Sequence, residues 1–415
     1  MGKTALFLGG GAPNLTLMSG ALLALHEAKV GFDIVATAGA GAVVGLVYLA
    51  PSGFARNDTQ APKKALMNMV NFGVSDAIYK MFPVNYKVFG KSGPSAEAFN
   101  DYWFSIPAVR DATNQLDMSD QEKLWADWLL FLGAMMCPTD LTFFSQGMCA
   151  HPRLIENLVA FPVNKVRLRG RPIEVQINAF NIDKHKITHF SNRPRRGRVP
   201  DITADHLRAA LSFPFIYSPY TIRGERFYEG AAFQTLNSTD EIAEIDRFIV
   251  LNPLVPNLIQ APRNLWDAYI QSIIMPVVGL AESEVHPPFP SGKGDAAQFP
   301  SWQYYRTPLH QLMQTIHMAD PSRARDREKA RELLAQLNRK EWYSANFVIE
   351  ERYVHDSLNW GRSSLKRLFD LGRERGEQLA ADIKSRNSHY DLAHLAGQVS
   401  RLHDGRGRPR RGRRS

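Results

Sequence analysis

Short apolar runs, glycine-rich turns and apolar stretches of helical spacing alternate through the N-terminal part of the chain. Residues 4–8 predict a buried strand, residues 9–11 a glycine turn and residues 19–25 a helix. Residues 32–45 repeat this order with a strand, a sharp turn and a buried helix. Strands that alternate with helices in this way predict an α/β domain.

The rest of the chain divides into an insertion, a return to the sheet and a helical region. Residues 51–165 form the insertion, which is rich in Trp, Phe and Met. The pattern then predicts a strand at 247–251, helices at 265–283, 304–318, 321–338 and 363–385, and a proline-rich linker at 287–294. We therefore predict an α/β domain over residues 1–255, a helical region over 256–396 and a disordered basic tail over 397–415.

The turn within residues 32–45 has the shape of a nucleophile elbow that lacks its nucleophile. Such an elbow holds Ser at the centre of a G-x-S-x-G motif, on a strained turn that lifts the hydroxyl above the sheet. Here Gly39 stands at the centre and Thr37 at the leading position. The pattern thus indicates the scaffold of a serine hydrolase without the central hydroxyl.

Together these features resemble the patatin-like phospholipases, over roughly residues 4–255. The resemblance implies a three-layer α/β/α sandwich with a mainly parallel central sheet. The family's catalytic Asp lies in an Asp-Gly-Gly or Asp-Gly-Ala turn, and the matching position here is Glu229. The resemblance also implies an oxyanion hole or ligand-binding cradle formed by the backbone amides of Gly9, Gly10, Gly11 and Ala40.

Departures from the family's pattern remove its usual Ser-Asp dyad. Glycine at position 39 adopts the elbow conformation without a Cβ penalty, so it relieves a strain of about 1–3 kcal/mol and removes the hydroxyl. Glu229 is longer than Asp, which displaces its carboxylate by about 1 Å, enough to matter in catalysis. The first loop also carries Pro13 and Asn14 where the family has an Arg/Lys-Gly pair.

Other residues are weaker candidates for the chemistry. Thr37, Ser19 and Ser212 carry the hydroxyls nearest to the motifs. Thr37 is predicted to end a strand and point away from the elbow, and Ser19 to pack inside a helix. Cys137 and Cys149 have no Cys/His arrangement around them, which predicts ordinary buried thiols.

A dinucleotide-binding turn is the alternative interpretation of the glycines at 39–45. It would require a strand that ends in an acidic residue about twenty positions later. Asp58 has about that spacing but lies in a proline-containing polar loop, so a tight turn and close helix packing are favoured. We predict no cofactor, and we predict no metal because His26, His310 and His317 have no partners at metal-ligand spacing.

The charge of the chain is concentrated at its C-terminus. Of the formal net charge of +9, residues 401–415 carry seven Arg and one Asp. This tail is predicted to be a solubilising extension or to contact anionic lipid, and the basic loop at 193–198 to be solvated or to steer anionic ligands. The sequence shows no motif of a nucleic-acid-binding domain beside these basic residues, so binding to a specific nucleic acid is not predicted. Without a secretory signal or membrane span, we expect a cytoplasmic location, with peripheral membrane attachment as the alternative.

The apolar stretch at 126–136 has two interpretations. It forms simple core, or it caps an acyl pocket above the elbow, where flexible Met135, Met136 and Met148 would suit acyl chains.

Two functions remain open from the sequence, and the first is favoured. The chain binds an acyl or lipid ligand, or a partner protein, on a scaffold that has lost its dyad. Alternatively it is an acyl-ester hydrolase or acyltransferase in which Glu229 activates a water held above Gly39. The position of the Glu229 carboxylate relative to Gly39 and to the amides of Gly10 and Gly11 discriminates between them.

Overall fold

The computed structural model describes residues 2–11, 14–54, 58–113, 115, 117–151, 153–194, 199–237, 244–262, 265–285, 328, 332, 335, 340–345, 347–350, 359–386 and 388. The strands are β1 Lys3–Leu8, β2 Ile34–Thr37, β3 Gly90–Lys91, β4 Cys149–Ala150, β5 Arg167–Leu168, β6 Arg171–Pro172, β7 Glu174–Asn181, β8 Lys186–Ser191, β9 Tyr220–Ile222, β10 Glu225–Glu229, β11 Ile245–Leu251 and β12 Glu341–Ser344. The helices are α1 Leu15–Glu27, α2 Ala40–Leu49, α3 Ala61–Asn68, α4 Asp76–Met81, α5 Pro94–Ser105, α6 Pro107–Ala112, α7 Asp120–Met136, α8 Arg153–Glu156, α9 Ala204–Leu211, α10 Leu265–Val285 and α11 Arg362–Ser385.

A mixed, mostly parallel sheet of eight strands forms the centre of the molecule. Its order is β12-β11-β1-β2-β7-β10-β9, and β8 pairs with β7. The first five strands of this order run parallel, whereas β8 and β10 are antiparallel to β7. Parallel strands are covered on both faces, and residues 5–8 and 248–251 are accordingly buried. The predicted α/β/α architecture with a mainly parallel sheet is confirmed.

The strand register brings three loops together at one edge of the sheet. Leu8 pairs with Thr37, so the glycine turn after β1 and the elbow after β2 leave the sheet side by side. Thr37 also pairs with Ile177 in β7. Two residues further along β7, Ala179 pairs with Glu229 at the end of β10. Ligands of open α/β sheets bind beyond the carboxyl ends of the parallel strands, so this edge is where a site is expected.

The C-terminal region completes the same core. Helix α11 packs on α1 so closely that a Cβ on Gly372 would lie 2.1 Å from the Leu17 carbonyl oxygen. The predicted helices at 265–283 and 363–385 are confirmed as α10 and α11. Strand β12, which extends the sheet beside β11, was not predicted. The helix at 304–318, the linker at 287–294 and the basic tail lie outside the described residues, as do all but three positions of the helix at 321–338.

The insertion is helical and has its own apolar cluster. Its six helices run from α3 to α8. Its buried members include Val74, Ile78, Tyr86, Ala126 and Leu130. One face of α7 is therefore core, as the first interpretation of residues 126–136 requires.

Candidate functional site

Gly39 gives the turn between β2 and α2 the backbone of a nucleophile elbow. Its φ of 49° and ψ of −127° lie in a region that residues with a Cβ rarely adopt. Glycine takes up this conformation freely, so the elbow exists here without the strain that a Ser would carry. Hydrogen bonds from the Ala38 amide to the Leu8 carbonyl (3.0 Å) and from the Ala42 amide to the Gly39 carbonyl (2.9 Å) hold the turn.

The carboxyl group of Glu229 fills the space beside Gly39 in which a nucleophile would stand. Glu229 ends β10, and its backbone amide donates to the Ser212 carbonyl at 2.9 Å. Its Oε1 lies 2.1 Å from the position that a Cβ on residue 39 would occupy, and the Ala231 Cβ lies 2.9 Å from the same point. Any side chain at position 39 would collide with Glu229. The longer acid and the missing side chain are therefore sterically matched.

Glu229 is an acid without a hydrogen-bonding partner in the described part of the chain. The surrounding protein atoms keep most water away from the carboxyl group, although the side chain retains some contact with solvent. Desolvation raises the pKa of Glu229 to about 8. At neutral pH the group is therefore mainly a neutral acid, which can donate a hydrogen bond.

Replacement of Glu229 by Gln should change how stability depends on pH. A raised pKa means that the folded state keeps a proton that the unfolded state has already lost. The wild-type protein therefore loses stability as the pH rises from about 4.5 to about 8, and the neutral Gln does not. We expect the two proteins to be equally stable near pH 4.5, and Glu229→Gln to be more stable by about 2 kcal/mol at pH 8, after a discount for the partial solvent contact.

Urea unfolding across this pH range measures the effect. Glu97→Gln, which removes an exposed carboxylate, controls for the loss of one negative charge. A stability difference between wild type and Glu229→Gln that stays constant from pH 4.5 to pH 8 would contradict the shifted pKa.

Several of the backbone amides around Glu229 have no hydrogen-bond acceptor among the described residues. The Gly9 amide donates to the Leu251 carbonyl at 3.0 Å, so it holds the glycine turn to β11 and is not available to a ligand. A Cβ on the buried Gly10 would lie 3.8 Å from Glu229 Oε1. The amides of Gly10, Gly11 and Ala40 are among those at the site that donate to no described atom. Because a buried amide without a partner is costly, these amides are suited to a ligand oxygen, as in an oxyanion hole.

Two of the alternative hydroxyls are used in structural hydrogen bonds. Thr37 is buried, and its Oγ1 donates to the Gln176 carbonyl at 2.9 Å. Ser19 is buried in α1, and its Oγ donates to the Leu15 carbonyl at 2.8 Å. Both contacts agree with the structural interpretation of these residues.

Ser212 pairs with His151, which the sequence analysis did not single out. Ser212 Oγ lies 3.2 Å from His151 Nε2 and donates to the Arg208 carbonyl at 2.9 Å. Burial, with a smaller effect from Arg208, lowers the pKa of His151 to about 4, and its ring stacks on Tyr217. Ser212 is completely buried, so its hydroxyl is closed to substrate. No motif surrounds His151 in the sequence, and only the fold brings it to Ser212.

A cavity of about 800 Å³ lies beneath the insertion. Helix α7 contributes to its walls, but Gly39 and Glu229 do not. The prediction that residues 126–136 cap a pocket above the elbow therefore needs correction, because the cavity lined by α7 is elsewhere. Other residues of its wall include Phe89, Trp103, Cys149 and His151.

The remaining candidates have ordinary roles where the structure describes them. Asp58 Oδ1 accepts a hydrogen bond from the Gln60 amide at 2.8 Å, within a local turn and not at a strand end. Cys137 and Cys149 are free thiols, and burial raises the pKa of Cys149 to about 11. Among the described residues, His, Cys, Asp and Glu form no group of three or more that could hold a metal ion. None of the described helices combines the length and the apolar character that a bilayer span needs. Residues 195–198 of the basic loop lie outside the described part of the chain.

Comparison with known proteins adds evidence on ancestry. The family model for the patatin-like phospholipase matches residues 6–239. No curated protein matches the chain. Among solved structures, the crystal structure of VipD from Legionella pneumophila is similar over 98% of this chain and 77% of that chain, with 11% sequence identity and a TM-score of 0.35. The family match, which covers more than half of the chain, therefore carries the assignment.

Proposed function

This chain belongs to the patatin-like phospholipase family, and from that premise we propose that it binds the acyl group of a lipid at the elbow without forming an acyl-enzyme at position 39. One observation carries the proposal: Glu229 Oε1 lies 2.1 Å from the Cβ position of residue 39. A nucleophilic side chain fits there only if the Glu229 carboxyl group moves away. What remains is a set of hydrogen-bond donors around a neutral acid.

These donors suit the oxygens of a carboxylate or a carbonyl. The amides of Gly10, Gly11 and Ala40 are free of described partners, and Ala40 begins helix α2, whose N-terminus favours negative charge. The acid proton of Glu229 adds a further donor near neutral pH. A fatty-acid carboxylate accepts stronger hydrogen bonds than an ester carbonyl, so a free fatty acid is the preferred ligand in this proposal.

Calorimetric titration of the full chain with dodecanoate tests the proposal. We expect saturable binding at pH 7, and an affinity that falls about tenfold per pH unit above roughly pH 8, because ionised Glu229 would repel the ligand. The Glu229→Gln variant retains an N–H donor and should lose this pH dependence. Methyl dodecanoate, which carries no charge, should bind more weakly than dodecanoate at pH 7.

Ala40→Pro is the matched variant for the amide cradle. It removes one free N–H at the first position of α2, where proline is tolerated. We expect roughly tenfold weaker dodecanoate binding, with a far-UV circular dichroism spectrum like that of the wild type. Absence of saturable binding in the folded wild-type chain would refute the proposal, as would wild-type affinity in a folded Ala40→Pro variant.

Acyl-ester hydrolysis with Glu229 as general base is the second candidate function. The pKa of about 8 is the observation that favours it, because general bases work best when their pKa lies near the operating pH. The nucleophilic water would stand on the outer side of the carboxylate, since Oε1 takes the space above Gly39. Turnover of chromogenic acyl esters that rises up to about pH 8 and disappears in Glu229→Gln would favour hydrolysis. Absence of turnover in both proteins would favour binding.

A further inference from the structure

Helix α7 of the insertion presents an apolar stripe to solvent. Trp125, Leu132 and Met136 lie at helical spacing along one side of α7, with exposures of 67%, 50% and 65%. Large apolar side chains are normally exposed singly, whereas a contiguous apolar patch marks an interaction surface. The buried face of the same helix already packs in the insertion's core, so the stripe is a second apolar face.

The loop after α7 exposes further large apolar side chains, among them two aromatic rings. Leu141 is 50% exposed, and Phe143 and Phe144 are 97% and 89% exposed. The two phenylalanine rings contact each other edge to face, with centroids 5.7 Å apart. Side chains this exposed gain almost no burial from folding. We call the surface formed by Trp125, Leu132, Met136, Leu141, Phe143 and Phe144 the apolar ridge.

The segment that forms the ridge carries one partly exposed charge, the carboxylate of Asp140. Between residues 124 and 146 the carboxylates are Asp127 and Asp140, and the segment contains no Lys, Arg or Glu. Asp127 is completely buried in ion pairs. Asp140 accepts a hydrogen bond from the Ser95 amide at 2.7 Å and so caps α5. A largely apolar surface with an exposed Trp suits the interfacial layer of a bilayer, where Trp is enriched.

The ridge also adjoins the cavity beneath the insertion. Leu130, Gly133 and Met135 of α7, together with Cys137, line that cavity of about 800 Å³. Its volume falls in the range of pockets that enclose small molecules. Helix α7 thus carries both ridge residues and residues that line this cavity. The cavity could receive an apolar molecule from the bilayer.

We propose that the apolar ridge inserts into the interfacial layer of an anionic lipid bilayer. Charge complementarity supports a bilayer over a protein partner: residues 401–415 carry seven Arg and one Asp, whereas the segment that forms the ridge carries one partly exposed carboxylate, Asp140. Stable membrane attachment generally needs two signals, such as an apolar insertion and a basic segment. The ridge supplies the first, and the arginines of residues 401–415 supply the second.

Vesicle co-sedimentation of the full chain tests this proposal. The vesicles contain phosphatidylcholine with phosphatidylserine, or phosphatidylcholine alone. We expect binding to the mixed vesicles, and Phe143→Ser/Phe144→Ser should weaken it roughly tenfold or more. Val348→Ser removes a side chain of 50% exposure close to β12, away from the ridge, and should leave binding unchanged. Equal urea unfolding curves for the three proteins show that the fold is intact.

Trp fluorescence gives an independent measurement of insertion. Lipids brominated on their acyl chains should quench wild-type fluorescence, and Trp125→Phe should remove part of that quenching. Three results would overturn the proposal: no binding of the wild type to mixed vesicles, wild-type binding by the double Phe variant, or absence of quenching. Sedimentation velocity in solution tests whether a second copy of the chain, and not a bilayer, covers the apolar ridge. A dimer that the double variant dissociates, with vesicle binding unchanged, would likewise overturn it.

Discussion

Gly39→Ser should destabilise this protein by about 3–5 kcal/mol and should not create esterase activity. The new side chain would carry the strain of the elbow conformation, about 1–3 kcal/mol. Its Cβ would also stand 2.1 Å from Glu229 Oε1, and such overpacking typically costs a further 1–3 kcal/mol or so. The Glu229 carboxyl group would have to move, so the new hydroxyl would not acquire a base in the family's geometry.

The double variant Gly39→Ser/Glu229→Asp tests whether the two positions are coupled. Shortening the acid withdraws the carboxyl group from the space that the Ser needs. We therefore expect the double variant to be more stable than Gly39→Ser, and hydrolysis of a chromogenic butyrate ester above the wild-type level in the double variant alone. Urea unfolding of the four proteins of the cycle gives the coupling energy, which contacting residues commonly show at 0.5–3 kcal/mol or thereabouts.

Gly39→Ala is the matched control in this experiment. It introduces the same Cβ and the same backbone strain without a hydroxyl, so it should lose about as much stability as Gly39→Ser. If Gly39→Ser were as stable as the wild type, the steric match between Gly39 and Glu229 would not exist. Additive effects of the Gly39→Ser and Glu229→Asp changes would argue against it equally.

Asp127→Asn should cost about 3–5 kcal/mol of stability, because it leaves buried cations without their anion. Asp127 is completely buried in α7. Its Oδ1 lies 2.6 Å from Lys87 Nζ, and its Oδ2 lies 2.8 Å from Arg362 Nη2. Oδ2 also accepts a hydrogen bond from the Ser75 amide at 2.7 Å. An Asn side chain has one acceptor oxygen and turns an NH₂ group toward one of the cations.

The pH dependence of the Asp127→Asn variant gives a second signature. Burial lowers the pKa of Lys87 to about 8, and Asp127 opposes this shift. Without Asp127 the pKa of Lys87 should fall further, so the folded variant gives up a proton that the unfolded chain keeps. A lowered pKa for a cation means that stability is lost as the pH falls. We therefore expect the stability deficit of the variant relative to the wild type to grow as the pH falls below about 8.

Asp370→Asn is the control for this prediction. Asp370 and Lys366 form an exposed ion pair on α11, and such pairs contribute about half a kcal/mol or less. Asp127→Asn should also loosen the insertion, because Asp127 joins α7 to Ser75 and to Arg362 of α11. Increased hydrogen exchange throughout α7 would show this loosening. Unfolding curves for Asp127→Asn like those of Asp370→Asn would contradict the role of the buried network.

The strands and the helix near the elbow could be predicted because the residues that specify each of them lie within its own stretch of the sequence. Strand β1, strand β2 and helix α2 combine continuous apolar runs with glycine turns, which is typical of buried parallel strands and the helices that cover them. The hairpin of β7 and β8 was predicted only through the resemblance of residues 175–182 and 186–191 to the central hairpin of the patatin-like family. Strand β12 was missed because it has only four residues, and its partner β11 lies far earlier in the sequence.

The sequence by itself determined the fold class, and it predicted an elbow without a nucleophile, with Gly39 and Glu229 at the positions of the family's dyad. Only the tertiary structure showed how Gly39 and Glu229 are related. The carboxyl group of Glu229 occupies the space that a side chain on residue 39 would need. The tertiary structure also placed Asp127, an acid between apolar residues of α7, at the centre of a buried ion network. The reason is that backbone conformation and apolar periodicity depend on neighbouring residues. Steric exclusion, desolvation and ion pairing depend on groups that only the folded chain brings together.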